Sequence, residues 1–210
     1  MNRSLSAMLV AAAAAGVLAA PAAAQDAVYV AQLHAMNSKV AGGQTTGEVR
    51  LVVHGDSLAI SVKVKGAPAS MEHWQHFHGF KDGHAAACPT QSADANHDGI
   101  VDLIETGPAS GTTMVPFDAD PAGMDVAHGT YPSATASGSY EYHQVVSLKA
   151  LDAAFGKAFD GKPLALDRRV VFIHGVPSAT TLAASVASLG PIPAQVTLPI
   201  ACGKLERAKR

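Results

Sequence analysis

Two runs of alternating character, Gly47–Val53 (GEVRLVV) and Leu58–Val64 (LAISVKV), flank the tetrapeptide His54-Gly55-Asp56-Ser57. β-Branched residues on both sides of a Gly/Asp turn specify a hairpin: glycine turns the backbone at little steric cost, and branched side chains suit a pleated strand. In the second run Leu58, Ile60, Val62 and Val64 fall on one side and Ala59, Ser61 and Lys63 on the other, the pattern of a strand with one buried face. A chain built on this unit is committed to an antiparallel sheet.

Other stretches extend the sheet. Val28–Leu33, Tyr140–Val146 and Val170–His174 read as strands, and Gln195–Ala201 as a last one whose proline suits an edge or a bend. Leu148, Leu151, Phe155, Ala158 and Phe159 recur at helical spacing between Ser147, an N-cap, and Gly161, which predicts one short amphipathic helix. From Gly66 to Gly138 the pattern gives way to Gly, Pro, Ser, Asp and His, with only His76–Phe80 and Met114–Phe117 as short apolar pieces. Long irregular segments in a compact domain are usually functional or metal-braced. Many short strands, Gly/Pro-rich turns and one helix predict an all-β sandwich or flattened barrel.

The first residues, MNRSLSAMLVAAAAAGVLAAPAAAQ, have the basic start, apolar run and Ala22-x-Ala24 site of a signal peptide, residues 1–24. Residues 25–210 then form one domain. The Ala-rich run is broken by Pro21, and no later stretch approaches the roughly 20 apolar residues of a membrane span, so the product is expected to be exported, periplasmic or secreted. With 48% hydrophobic residues the chain is no disordered polymer. The 15 Lys+Arg against 17 Asp+Glu, with no basic run beyond Lys204 to Arg210, exclude a nucleic-acid surface. An oxidising compartment makes Cys88 and Cys202 candidates for one disulfide, two buried thiols being the alternative.

Of ten histidines, three crowd into Met71–Phe80. On a strand, His76 and His78 point to the same side, with His73 in the segment leading in. Such a His-x-His pair can present two imidazole nitrogens to copper or zinc; a solvated or hydrogen-bonded pair is the plainer reading. His174 ends the run Val170-Val171-Phe172-Ile173 before Gly175, where a strand delivers a side chain to a barrel rim, and is a third candidate ligand against a histidine bonded to backbone.

These residues resemble the copper/zinc superoxide dismutase family and its copper-only relatives. The resemblance rests on Gly66 with Gln75-His76-Phe77-His78-Gly79-Phe80, on Cys88, on Arg169-Val170-Val171-Phe172-Ile173-His174 and on Ala201-Cys202-Gly203, in that order from about Val28 to Gly203. It implies an eight-stranded Greek-key β-barrel, copper held by His76, His78 and His174, a Cys88–Cys202 disulfide and superoxide as the small-anion substrate. It does not extend to zinc, since the space of the family's zinc loop holds Ser92–Glu105 with His97 alone. Pro199 stands where the family places an arginine that guides superoxide, three residues before the last cysteine. The predicted helix at Leu148–Phe159 is an addition to the usual barrel. Of the remaining imidazoles, His73, His84, His128 and His143, the last ranks first as a fourth ligand because of its strand context, Tyr140-Glu141-Tyr142-His143.

Within an insertion near residues 88–108, Asp94-Ala95-Asn96-His97-Asp98-Gly99-Ile100-Val101-Asp102-Leu103-Ile104-Glu105 matches the EF-hand loop pattern D-x-[DN]-x-[DN]-G-x5-E. Asp94, Asn96 and Asp98 offer side-chain oxygens, Gly99 the sharp turn and Ile100 a carbonyl. Asp102 binds directly or through water, and Glu105 with both oxygens, so calcium is the expected ion. Cys88-Pro89-Thr90 before the loop and Gly107-Pro108 after it leave no place for the paired helices of an EF-hand, so the role would be structural bracing of a long loop.

Two functions follow: an exported copper enzyme that dismutates superoxide, or a non-catalytic metal-binding β-module, comparable to the secreted CHRD type. Hydrolysis lacks a Gly-x-Ser-x-Gly elbow, and no Gly-rich phosphate loop is present.

Overall fold

The hairpin forms as read. In the structure, a computed structural model that describes residues 26–209, β2 (Thr46–His54) and β3 (Ser57–Lys65) pair antiparallel from Thr46 opposite Lys65 to His54 opposite Ser57, with Gly55 in left-handed backbone. Strand β1 (Ala27–Ala35) lies on the far side of β2, and β4 (Gln75–Gly79) and β5 (Thr112–Pro116) belong to the other half of the sheet. Strands β6 (Tyr140–Ser147), β7 (Val170–His174), β8 (Pro199–Lys204) and the short β9 (Glu206–Arg207) complete it. The order β5-β4-β7-β8-β1-β2-β3-β6, with β9 pairing β1, is an antiparallel sheet of Greek-key type curled over a single core. Among the described residues it has nine strands rather than the expected eight. The proposed signal segment, residues 1–24, lies outside the described residues.

One face of each strand from β1 to β8 builds the interior. Leu51, Ile60, Val62, Phe77, Phe117, Val171, Ile173 and Ile200 are buried there. The predicted helix, α3 here (Leu148–Ala158), starts at Ser147, whose hydroxyl accepts from Ala150 N, and buries Leu151 and Phe155 in this core. Two short helices precede it, α1 (Ser38–Ala41) and α2 (Leu103–Ser110). A turn of helix, α4 (Ala194–Thr197), occupies the start of what the sequence suggested as the last strand; the strand proper begins at Pro199.

The existence of α2 corrects the reading of Gly107-Pro108 as a flank without a helix. Asp102 caps the helix by accepting from Ile104 N and Glu105 N, and the Glu105 carboxylate returns to Asp102 N. This reciprocal pair starts the helix strongly enough for Pro108 to sit inside it.

Arg169, 1% exposed, lies in the barrel interior between the Phe77 and Phe155 rings. Its guanidinium donates to the carbonyls of Leu164, Pro163 and Phe80 and meets no carboxylate among its bonds. Gly79 is required beside it, because a Cβ there would overlap the guanidinium.

Outside the sheet, Ala86, Val170, Phe172 and Cys202 form a second apolar cluster under the loop that follows β4. The Cys88–Cys202 disulfide ties that loop to β8, with Cα atoms 5.8 Å apart.

Candidate metal centre

Strand parity and register create the site. Phe77 points into the core, so His76 and His78 point the other way; Val171 and Ile173 point inward, so Phe172 and His174 share the outer face. In the β4–β7 pairing His76 lies opposite Phe172 and His78 opposite Val170, and His174 N donates to Trp74 O at the strand end. His174 is thus the diagonal neighbour of His76. Ring centroids are 4.5 Å apart for His76 and His174, 4.8 Å for His76 and His78, and 6.2 Å for His78 and His174.

One ligand atom from each of the three rings lies within 4.8 Å of the others, and all three residues are buried. Three of their nitrogens, His76 Nδ1, His78 Nδ1 and His174 Nε2, have no hydrogen-bond partner. Buried polar atoms are ordinarily satisfied, so an unpartnered nitrogen on each of three clustered, buried rings calls for a ligand. For His174 the lone pair is defined: Nδ1 faces the Thr197 carbonyl at 2.7 Å, an acceptor only, so the proton sits on Nδ1 and Nε2 is left bare. His78 Nε2 bonds the Thr113 hydroxyl at 3.1 Å, from a strand shifted into place by an irregularity in the β4–β5 pairing.

Burial holds these rings neutral. It is the main cause that lowers His174 to about 4, and burial followed by repulsion from His174 lowers His78 to about 3. His76 falls well below its ordinary value through burial and then repulsion from His174 and His78. Neutral imidazoles with free lone pairs fit a transition metal such as copper or zinc. A cavity of about 20 Å³ lies against His76 and His174, walled by Trp74, Leu103, Thr113, Val126, Leu189 and Thr197. None of these carries a fixed positive charge.

The other candidates stand elsewhere. His143, ranked as a fourth ligand, is on the outer face of β6: Tyr140 and Val146 point inward, so His143 alternates outward, exposed, with Nδ1 against the Ser61 hydroxyl at 3.0 Å. It does not join the cluster. His73 is fully buried close by, but its two nitrogens face the His174 and Pro68 carbonyls at 2.9 and 2.8 Å, and it does not join the cluster. His84 and His128 are surface residues paired with Asp82 and Asp125, and His97 is exposed. Pro199 is buried opposite His174, its carbonyl accepting from Asn37 Nδ2, so no cation stands at that position.

In the acidic loop, amides occupy the oxygens that a calcium ion would use. Asp94 accepts from Asp98 N and Gly99 N, Asn96 Oδ1 from Asp98 N, and Asp98 Oδ1 from Ile100 N. Glu105 accepts from Ala95 N and Asp102 N. Asn37 clamps the loop by bonding both N and O of Val101.

No family model matches the sequence, and no curated protein matches it. Among solved structures, the Cu/Zn superoxide dismutase from Brucella abortus is similar to this chain with a TM-score of 0.40 and 18% identity, over 85% of this chain and 99% of that one.

Proposed function

We propose that this chain is an exported protein that binds copper through His76, His78 and His174. The observation that carries the reading is the cluster of three buried imidazoles, with one ligand atom of each within 4.8 Å of the others and one nitrogen of each unpartnered. The chain's own residues prepare the site: the Thr197 carbonyl sets the His174 tautomer, Thr113 orients His78, and Trp74, Leu103, Val126 and Leu189 restrict the space beside the rings. A copper ion there would supply one-electron redox chemistry, with superoxide as the small-anion substrate of the enzymatic reading. The disulfide and the leader-like first residues support export.

A second reading, metal binding without turnover, is favoured by the absence of any fixed cation in the cavity wall and by Pro199 at the place of a guiding arginine. Elemental analysis of the purified protein, with a superoxide-removal assay before and after copper loading, decides between them. Activity that rises in step with copper supports the enzyme; full copper occupancy without activity selects the binding module; no copper after loading overturns both. The acidic loop from Asp94 to Glu105 is proposed as a calcium brace on the strength of its ligand spacing alone, with zinc assigned no site.

A further inference from the structure

The cavity over the histidines is too small to admit both an ion and a diatomic anion. About 20 Å³ is roughly the room of one water, so a wall must move for anything larger to enter. Two of the walls are linked. Leu103 directly follows Asp102, and Leu189 belongs to the surface segment that Asp98 and Asp102 hold down. Ser185 donates its hydroxyl to Asp98 Oδ2, and Ala187 N donates to Asp102 Oδ2 at 2.7 Å. Its other backbone bonds are local: Val186 N donates to Ala183 O, and Leu189 and Ile192 exchange a pair of bonds at its end. Ala183, Ala184, Ser185, Ser188 and Gly190 are exposed, and only Leu182 and Val186 pack against the core. Leu189 itself is 46% exposed although it closes the cavity, and Gly190 follows it in left-handed backbone, within the turn that Leu189 and Ile192 close.

We propose that Ala183–Leu189 is a strap that gates the histidine cavity, and that the Asp98 and Asp102 carboxylates are its latches. The inference rests on the copper reading only for the identity of what passes. Access to the site is thereby governed from the acidic loop: whatever occupies Asp98 Oδ2 and Asp102 Oδ2 in place of Ser185 and Ala187 frees the strap. A hydrogen bond to a carboxylate is strong enough to slow opening and weak enough to be broken thermally, which suits a latch.

The test uses the mature, metal-free protein and the variants Ser185→Ala, which removes one latch bond, and Ser185→Asp, which sets a second carboxylate against Asp98. Ser188→Ala, exposed and outside both latches, is the control. Acylation by diethyl pyrocarbonate, mapped by peptide mass, reports the accessibility of His76, His78 and His174 against exposed His128. Copper uptake, and its release to excess chelator, are followed by the fluorescence of Trp74, the single tryptophan and a cavity wall residue. Ser185→Ala is expected to raise all these rates about tenfold, the scale of one charge-assisted hydrogen bond. Ser185→Asp should raise them further, with His128 and the control unchanged. Unaltered acylation of the three buried rings in both Ser185 variants overturns the gate, even where copper binds normally. Faster acylation in a protein that takes up no copper supports the gate and overturns the copper reading instead.

Discussion

Replacing Cys88 and Cys202 together by alanine gives a stability change that can be worked from the chain itself. The bridge joins residues separated by 114 positions. Closing a loop of that length removes roughly 16 cal/mol/K from the unfolded ensemble, about 5 kcal/mol at 25 °C. Typical domains have about 5–15 kcal/mol in total, so the double variant should be close to the limit of folding. Local packing adds little to the loss. Cys202 is buried against Val170, Phe172 and Ala86, and alanine leaves a small gap there. Urea unfolding of the oxidised parent, the reduced parent and the double variant is the assay. The last two should coincide, several kcal/mol below the first, with a steeper urea dependence because the unfolded chain expands. A loss under about 1 kcal/mol would refute the loop-entropy reasoning.

Three further outcomes are expected. Arg169→Met should destabilise the fold by about 3–5 kcal/mol, since the Leu164, Pro163 and Phe80 carbonyls lose their donor in the interior; equilibrium unfolding at or above parental stability would show that those carbonyls find other partners. Metal-free protein should lose stability as pH falls below about 6.5, where an unfolded histidine takes up a proton that native His174, lowered to about 4, and His78, lowered to about 3, refuse. The unfolded state binds more protons in that window, so stability rises with pH by about 1.4 kcal/mol per unit for each ring, and a flat urea midpoint from pH 7 to 4 would contradict the burial of neutral rings. Glu105→Gln should abolish any rise of Tm with added calcium while keeping the α2 cap in weakened form, and an unchanged calcium response removes the proposed brace.

Much of the β-framework was legible because its signals are local. The hairpin turn, the alternation of Leu58 to Val64 and the Ser147-capped helix each sit within a few residues of what they specify. Period-two geometry likewise put His76 and His78 on one face. The enclosure of the metal centre was not legible, since its walls come from Leu103, Val126 and Leu189 on three separate loops with no shared pattern. The Thr197 carbonyl that sets the His174 tautomer belongs to a helical turn that reads as strand from its β-branched residues. His143 shows the limit of strand context: an ordered strand fixes alternation, and alternation sent this ring to the outer face. The capping pair Asp102 and Glu105 was visible, but their spacing also fits a calcium loop, and that reading hid the helix start.

Titration of metal-free protein with Cu(II), followed by electron paramagnetic resonance of the one-equivalent complex, examines the metal centre itself. One tightly held copper with coupling to three imidazole nitrogens is the expected spectrum, reduced to two in His174→Ala. Copper bound only loosely and in several equivalents, with a signal indifferent to the loss of His174, would contradict the assignment of this site.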